Sequence, residues 1–536
     1  MKFSETVDVV VLGFGLGGGI AALNAAQAGA KTLLLEKSTV PGGLSICSYG
    51  AVRSAHDAEQ AFAYLQTTNG RRTPDDVVRA LANGMCELES YVRELASIND
   101  ARVITSVEEN EERAKAGDPY RRQIRGNYPL PGTNTFYHTS VVDVPGFDAR
   151  KDYPWANGAP NGPKLFKVVH DNVIASGVDI RLGVGAQRLI TDPSTREVIG
   201  VTVLQDGEER HIAARRGVVI ATGGFEGNAD MKAQFLETHP VFNAAARHNS
   251  GDGIRMAQDL GAALWHMWHI HGAYGFRHTD PAYPYGIRAK RFPDWFPGDA
   301  DKVNLKMAWI LLDHSGQRFM SEYQPYTQDT GVRQLSHFDP ITQKASRNPA
   351  YLICDDIGRQ MYPLGKATSN DEGLRYDWSD NNLKEVENGI IQRADTLGEL
   401  AKKLGLDASA VKTSVARWNA LCAAGKDTEF GRGDHTYDQF WGDKDYEGVY
   451  RTLGPIDTPP YYAVKMESGV LGTCGGPRMN ANAQVIDWDD KPIEGLYICS
   501  NAMSSPTAGV YGGAGGTLGP GMTFGFIAGR HAAQKG

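Results

Sequence analysis

Apolar positions along this chain fall into short blocks punctuated by glycine. Residues 7–12, "VDVVVL", form a near-continuous apolar run, as expected of a strand buried on both faces. Glycines follow at once. Residues 20–28 are alanine-rich and predict a helix, and "KTLLLEK" predicts a second strand ending in Glu36. A further strand is predicted in "GVVIATGG", feeding a turn of small residues. Residues 397–425 read as a helical hairpin broken at "GLD", with Ser409 as a candidate cap. The closing stretch 508–529, "AGVYGGAGGTLGPGMTFGFIAG", predicts a helix beginning near Pro520 behind a dense glycine run. No apolar run approaches the ~20 residues that span a bilayer, and there is no internal repeat at solenoid period.

Composition narrows the classes. The 536 residues suffice for two or three domains, and 62 are glycine, about 12% against a usual ~7%. Ordering glycine is costly, so this excess needs a reason such as backbone held close to a ligand. The net charge of −8 argues against a nucleic-acid binder, whose footprint is a basic face. The six cysteines form no CxxC pair and no zinc spacing, which suits reduced thiols and a cytoplasmic location.

The first block carries a cradle. Gly13, Gly15 and Gly18 fit G-x-G-x-x-G between a strand and a helix. Gly13 permits the tight turn, Gly15 admits a pyrophosphate, and Gly18 lets helix and strand pack. The helix N-terminus offers N–H groups to the anion, and Glu36 is placed to accept ribose hydroxyls. The next stretch, "STVPGGLSICSYGA", bears on NAD against FAD. Gly42, Gly43 and Ser45 would let an extended loop lie beside a flavin's ribityl chain, and "ATGG" at 221–224 reads either as a second contact of that kind or as an ordinary strand-to-turn junction. The cofactor expected is FAD.

Motifs in order along nearly the whole chain resemble the fumarate reductase/succinate dehydrogenase flavoprotein superfamily. They include the cradle, "PGGLS", "ATGGFEGN", "SGDGIRMAQDLGA", "SGQRFMSEY", "GTCGGPRMN", "IEGLYICSNA" and the closing glycine run. The resemblance implies an α/β fold: a two-dinucleotide-binding, Rossmann-like FAD domain from residues 1–270 and 455–536, with a mixed α/β capping and catalytic domain at 271–454. It implies further cofactor contacts at Gly17, Lys37, Ala186, Ala221, Thr222, Gly223, Asn501, Gly516 and Leu518. It also implies noncovalent FAD, because members that attach it covalently use a histidine beside the small-residue run of Gly42, Gly43 and Ser45, and none stands here.

Fumarate reductases bind a dianion and need cations for both carboxylates. Their arginine acid stands four residues past the glutamate of "RF-x-x-E". Here Arg318, Phe319 and Glu322 match that phrase, but Tyr326 occupies the arginine's place. Gly472 in "GTCGG" replaces a histidine, and the closing run has no arginine. These departures exclude fumarate and succinate. The same places resemble the 3-ketosteroid Δ1-dehydrogenases, whose two tyrosines match Tyr326 and Tyr511 and whose oxyanion glycine matches Gly515. The resemblance implies that Tyr511 O–H and Gly515 N–H stabilise an enolate while Tyr326 takes the α-proton. A third phenol would come from Tyr120, Tyr128, Tyr137 or Tyr153, among which the sequence does not choose.

The expected partner is a small-molecule cyclic ketone, with a quinone, oxygen or protein as external electron acceptor. Residues 266–301 are dense in aromatics and histidine and read either as a lining for a ring system or as a packed loop. His266, His269 and His271 read as structural or pocket residues, with no metal. Arg288, Lys290 and Arg291 leave open a small cyclic keto acid such as 4-oxocyclohexanecarboxylate. Enone reduction, and a non-catalytic FAD electron-transfer subunit, are the other readings.

Overall fold

The computed structural model describes residues 2–117, 125–126, 128–289, 308–322, 332–361, 363–435, 452–510 and 515–535. Strand Glu5–Leu12 lies at the centre of the first sheet, with Val9, Val10 and Val11 fully buried. Thr32–Glu36 runs parallel on one side and Glu208–Ile220 parallel on the other. Asp179–Leu182 continues the sheet beyond Thr32–Glu36. On the far side of Glu208–Ile220, Pro492–Ile498 pairs parallel with it, so the C-terminal segment returns to the N-terminal unit. A parallel sheet must be covered on both faces, which accounts for near-continuous apolar strands in place of alternation.

Two helices begin at one end of this sheet. Leu16–Gln27 follows the glycine turn, and Leu518–Gln534 closes the chain, starting two residues before the expected Pro520. Their backbones touch. A Cβ on Gly525 would stand 2.6 Å from the Gly17 carbonyl oxygen, and one on Gly529 would stand 2.2 Å from that of Ala21. Much of the late glycine content therefore serves helix contact.

The second sheet is ordered Trp309–Leu312, Ala350–Asp355, Tyr461–Thr473, Ile270–Arg277, Gly286–Ala289 and Gly365–Lys366. Val241–Asn243 and Gln392–Ala394 also pair with Tyr461–Thr473. The sheet thus draws strands from both sides of the expected 271–454 segment, because the long strand 461–473 is its spine. The hairpin at 397–425 forms as Leu397–Leu404 and Ala408–Ala424, but its cap is Asp407 and not Ser409: Asp407 accepts the Ala410 N–H at 2.7 Å. Asn370, a few residues past the edge strand Gly365–Lys366, donates its Nδ2 to the carbonyl of Gly43, in the loop that follows Thr32–Glu36, at 2.8 Å.

Candidate active site

A cavity of about 370 Å³ is lined from both sheets. At one end lies the glycine turn. Gly13 has φ +102°, and a Cβ there would meet the Ala221 carbonyl oxygen at 2.5 Å. A Cβ on Gly18 would meet the Gly13 oxygen at 1.9 Å, so that glycine serves strand–helix packing and does not line the cavity. Gly15 differs: its nearest neighbour would be Ser45 Oγ at 3.7 Å, and the residue lines the cavity. The cradle is thus open where a pyrophosphate needs room and filled elsewhere. Ser45 Oγ accepts the Leu16 N–H at 3.2 Å, which fixes the loop against the helix start.

Glu36 ends its strand on the cavity wall. One carboxylate oxygen accepts the Phe14 N–H and the other the Ser38 N–H, both at 2.8 Å. Burial pushes its carboxyl above the ordinary range, against those two bonds. Each oxygen has a second lone pair, so the group can still accept ribose hydroxyls. Lys37 reaches Asp252 at 2.7 Å and Ser250 at 2.6 Å. Gly17, Gly43 and Ala186 line the cavity, as do Ala221, Thr222 and Gly223. Gly42 does not: its φ of +111° shapes the loop, and a Cβ there would strike Ile46.

At the other end the cavity meets the start of the closing helix, at Gly515, Leu518 and Gly521. Gly516 lines only a small adjoining pocket. Gly515 has φ +73°, and a Cβ there would sit 2.6 Å from both the Ala51 oxygen and the Arg53 nitrogen. Only glycine fits. Its carbonyl accepts the Gly519 N–H at 3.0 Å, which fixes the peptide. A Cβ on Gly472 would lie 2.6 Å from Asn501 Nδ2, so Asn501 fills the space a larger residue at 472 would need, and Asn501 lines the cavity.

Tyr326 and Tyr511 lie outside the described residues, as do Tyr120, Lys290 and Arg291. The remaining third-phenol candidates do not line the cavity. The Tyr137 hydroxyl donates to Glu89 at 2.8 Å, and that of Tyr153 pairs with His170 Nδ1 at 2.9 Å. Two other phenols, Tyr49 and Tyr274, do line it. Tyr49 follows directly on the small-residue run and could have been found there. Lys366 also lines the cavity and had no motif to announce it. Cys47 borders the cavity too, but burial pushes its thiol up to about 12, which keeps it protonated.

Arg318 and Glu322 of "RF-x-x-E" are structural. Arg318 bonds Glu322 at 2.9 Å and Asp427 at 3.0 Å, and Arg432 reaches Glu322 at 3.1 Å. Burial opposes ionisation of Glu322, but Arg318 and Arg432 overcome it and hold the carboxyl below its ordinary range. The histidines 266, 269 and 271 are buried, and His271 borders the cavity. Burial lowers His266 to about 4, helped by His269. Among the described residues no group of three or more ligand-type side chains could hold a metal, and no helix is long and apolar enough to cross a membrane.

Comparison with known proteins is consistent with this geometry. The FAD binding domain family model matches residues 8–518. The 4-oxocyclohexanecarboxylate 2-dehydrogenase of Sinomonas cyclohexanicum is 30% identical over 584 residues, covering 99% of this chain and 93% of that protein. The 3-oxosteroid 1-dehydrogenase of Mycobacterium tuberculosis (strain ATCC 25618 / H37Rv) is 30% identical over 588 residues, covering 99% of each. The crystal structure of 3-ketosteroid delta1-dehydrogenase from Sterolibacterium denitrificans, in complex with 1,4-androstadiene-3,17-dione, superposes with a TM-score of 0.81. It is 26% identical and covers 98% of this chain and 99% of that one.

Proposed function

Since the chain belongs to the FAD-binding-domain family, we propose that it is an FAD-dependent dehydrogenase that introduces a C=C bond next to the carbonyl of a cyclic ketone. Related proteins of this length carry out CH–CH dehydrogenation of ring ketones, by their names. The observation that carries the reading is Gly515. Its backbone borders the cavity in a conformation and a space that admit no side chain. A backbone N–H there is a donor that no substitution can supply from a side chain.

The residues of the cradle hold FAD: Glu36 the ribose, Gly15 and the start of helix Leu16–Gln27 the pyrophosphate. Bound FAD supplies the acceptor for the hydride that leaves the β-carbon. The protein must make the α-proton labile, because a ketone does not release it unaided. Gly515 N–H and Tyr511 O–H hold the carbonyl oxygen as negative charge develops on it. Tyr326 takes the α-proton as a phenolate. Ala273, Tyr274 and Leu471 of the second sheet line the cavity, and a site shielded from water would strengthen both hydrogen bonds.

Tyr511→Phe removes one oxyanion donor and should lower the rate of flavin bleaching roughly 10²–10³-fold. The assay is anaerobic stopped-flow mixing of the FAD-loaded enzyme with a panel of ring ketones. A near-normal rate in Tyr511→Phe on the best ketone would sink the assignment.

A further inference from the structure

Gly365–Lys366 and Ser369–Asn370 are two short strands of one stretch, and the side chains of that stretch alternate. Lys366, Thr368 and Asn370 line the cavity, while Ala367, Ser369 and Asp371 are buried without lining it. The stretch leaves the second sheet at its edge but is bonded to the cradle's side of the cavity. Thr368 Oγ1 donates to the Ala244 carbonyl at 2.8 Å, and the Asn370 N–H donates to that of Ala245 at 3.1 Å. Asn370 Nδ2 donates to Gly43, and the Asp371 N–H donates to the Trp155 carbonyl at 3.1 Å.

Asn370 is 5% exposed, and its Oδ1 has no hydrogen-bond partner among the described residues. Leaving a buried acceptor unpaired is costly, so this oxygen calls for a donor on a ligand. The reacting carbonyl of a ketone is itself an acceptor and cannot serve. A Cβ on Gly43 would lie 3.4 Å from Gly15 Cα, so Asn370 stands beside the place of the pyrophosphate, which has no donor either. The hydroxyls that adjoin the pyrophosphate of FAD are those of the ribose, which fall to Glu36, and those of the ribityl chain.

Asp371 fixes the stretch from behind. Its Oδ1 accepts from Arg247 Nη2 at 2.8 Å, and its Oδ2 from Arg247 Nε at 2.7 Å and from the Tyr285 hydroxyl at 2.9 Å. A guanidinium fork on a carboxylate fixes orientation as well as position. Burial and the Asp371 carboxylate push the Tyr285 phenol up, which keeps it a donor. We propose that Asn370 holds a ribityl hydroxyl of bound FAD through Oδ1, and that Asp371, anchored by Arg247 and Tyr285, is the positioning residue that keeps it there. This rests on FAD occupying the cavity and not on the ring-ketone reading.

Release of FAD from the diluted holoenzyme, followed as recovery of flavin fluorescence, reads the contact without substrate. Asn370→Ala should release FAD roughly 3- to 10-fold faster than wild type. Asp371→Asn should quicken release at least about twofold but no more than Asn370→Ala does, and the double variant should match Asn370→Ala, because one residue acts through the other. Arg247→Met, at a half-exposed position, should match Asp371→Asn. Among FAD analogues that each lack one ribityl hydroxyl, one should leave wild type faster by the factor that Asn370→Ala shows for FAD, and with that analogue Asn370→Ala should have no further effect. Release from Asn370→Ala within about twofold of wild type overturns the contact. If every analogue preserves the difference between Asn370→Ala and wild type, the ribityl assignment is overturned. Single-variant factors that multiply in the double variant overturn the positioning role. A holoenzyme that meets these expectations yet is bleached by no ring ketone keeps the contact and loses the dehydrogenase reading.

Discussion

Glu226 is a buried carboxyl in the turn after strand Glu208–Ile220, and it makes stability depend on pH. Its Oε1 accepts the Asn249 amide at 2.6 Å, and Oε2 has no hydrogen-bond partner among the described residues. Burial raises it from 4.5 to about 7, opposed by the Asn249 bond. Below pH 4.5 the group is protonated in both states and costs nothing. As pH rises, the unfolded chain ionises first, so stability falls until the folded group also ionises near pH 7; above that the full penalty persists. The gap from 4.5 to about 7 is worth roughly 3.5 kcal/mol, at about 1.4 kcal/mol per unit. About 2.5 kcal/mol of it is lost between pH 5 and pH 8. Glu226→Gln mimics the protonated acid and keeps the acceptor for Asn249. With an unfolding entropy of about 2.1 cal/mol/K per residue, the variant should gain roughly 2 °C in Tm over wild type from pH 5 to pH 8. The assay is paired thermal melts of both FAD-saturated proteins in matched buffers. A difference that is flat across this range, or that shrinks as pH rises, would refute the reasoning.

Glu322→Gln weakens the charge balance around two buried arginines and should cost about 3–5 kcal/mol, a drop of roughly 3–4 °C in Tm; a change below 1 °C would show the cluster to be dispensable. Gly525→Ala places a methyl 2.6 Å from the Gly17 oxygen and should cost roughly 1–3 kcal/mol by overpacking. Because Gly17 lies in the cradle, this variant should also lose FAD on gel filtration, which the ratio of flavin to protein absorbance measures.

What the sequence made legible is local. The turn of Gly13, Gly15 and Gly18, the helix behind it and Glu36 lie within one continuous stretch, where each residue's task follows from its neighbours. The structure puts Gly13 and Gly18 against each other and leaves Gly15 open. Long-range pairing was not legible. Lys366 reaches the cavity through a two-residue strand paired with Gly286–Ala289, too short for any periodicity to show. The strand Tyr461–Thr473 pairs with Ile270–Arg277 on one side and Ala350–Asp355 on the other, partners remote in sequence that no local pattern announces. Two of the four candidate third phenols, Tyr137 and Tyr153, direct their hydroxyls to Glu89 and His170 and away from the cavity. Tyr49, inside the loop that reads as a cofactor contact, lines the cavity as well.

The closing glycine run joins the two ends of the site mechanically. Helix Leu518–Gln534 lies on helix Leu16–Gln27 at backbone contact, through Gly525 on Gly17 and Gly529 on Ala21. Interiors packed this closely transmit displacement, because no side chain remains to absorb it. The start of the first helix faces the cradle, and Gly515 stands three residues ahead of the second. A shift of the cradle relative to Gly515 must therefore slide one helix along the other against the carbonyls of Gly17 and Ala21. A fixed separation is what the proposed chemistry demands, because hydride transfer and enolate stabilisation need one ring held to two partners at once, and misplacement by about 1 Å can cost about 10²-fold in rate. The glycines that look like flexibility in the sequence supply rigidity in the fold.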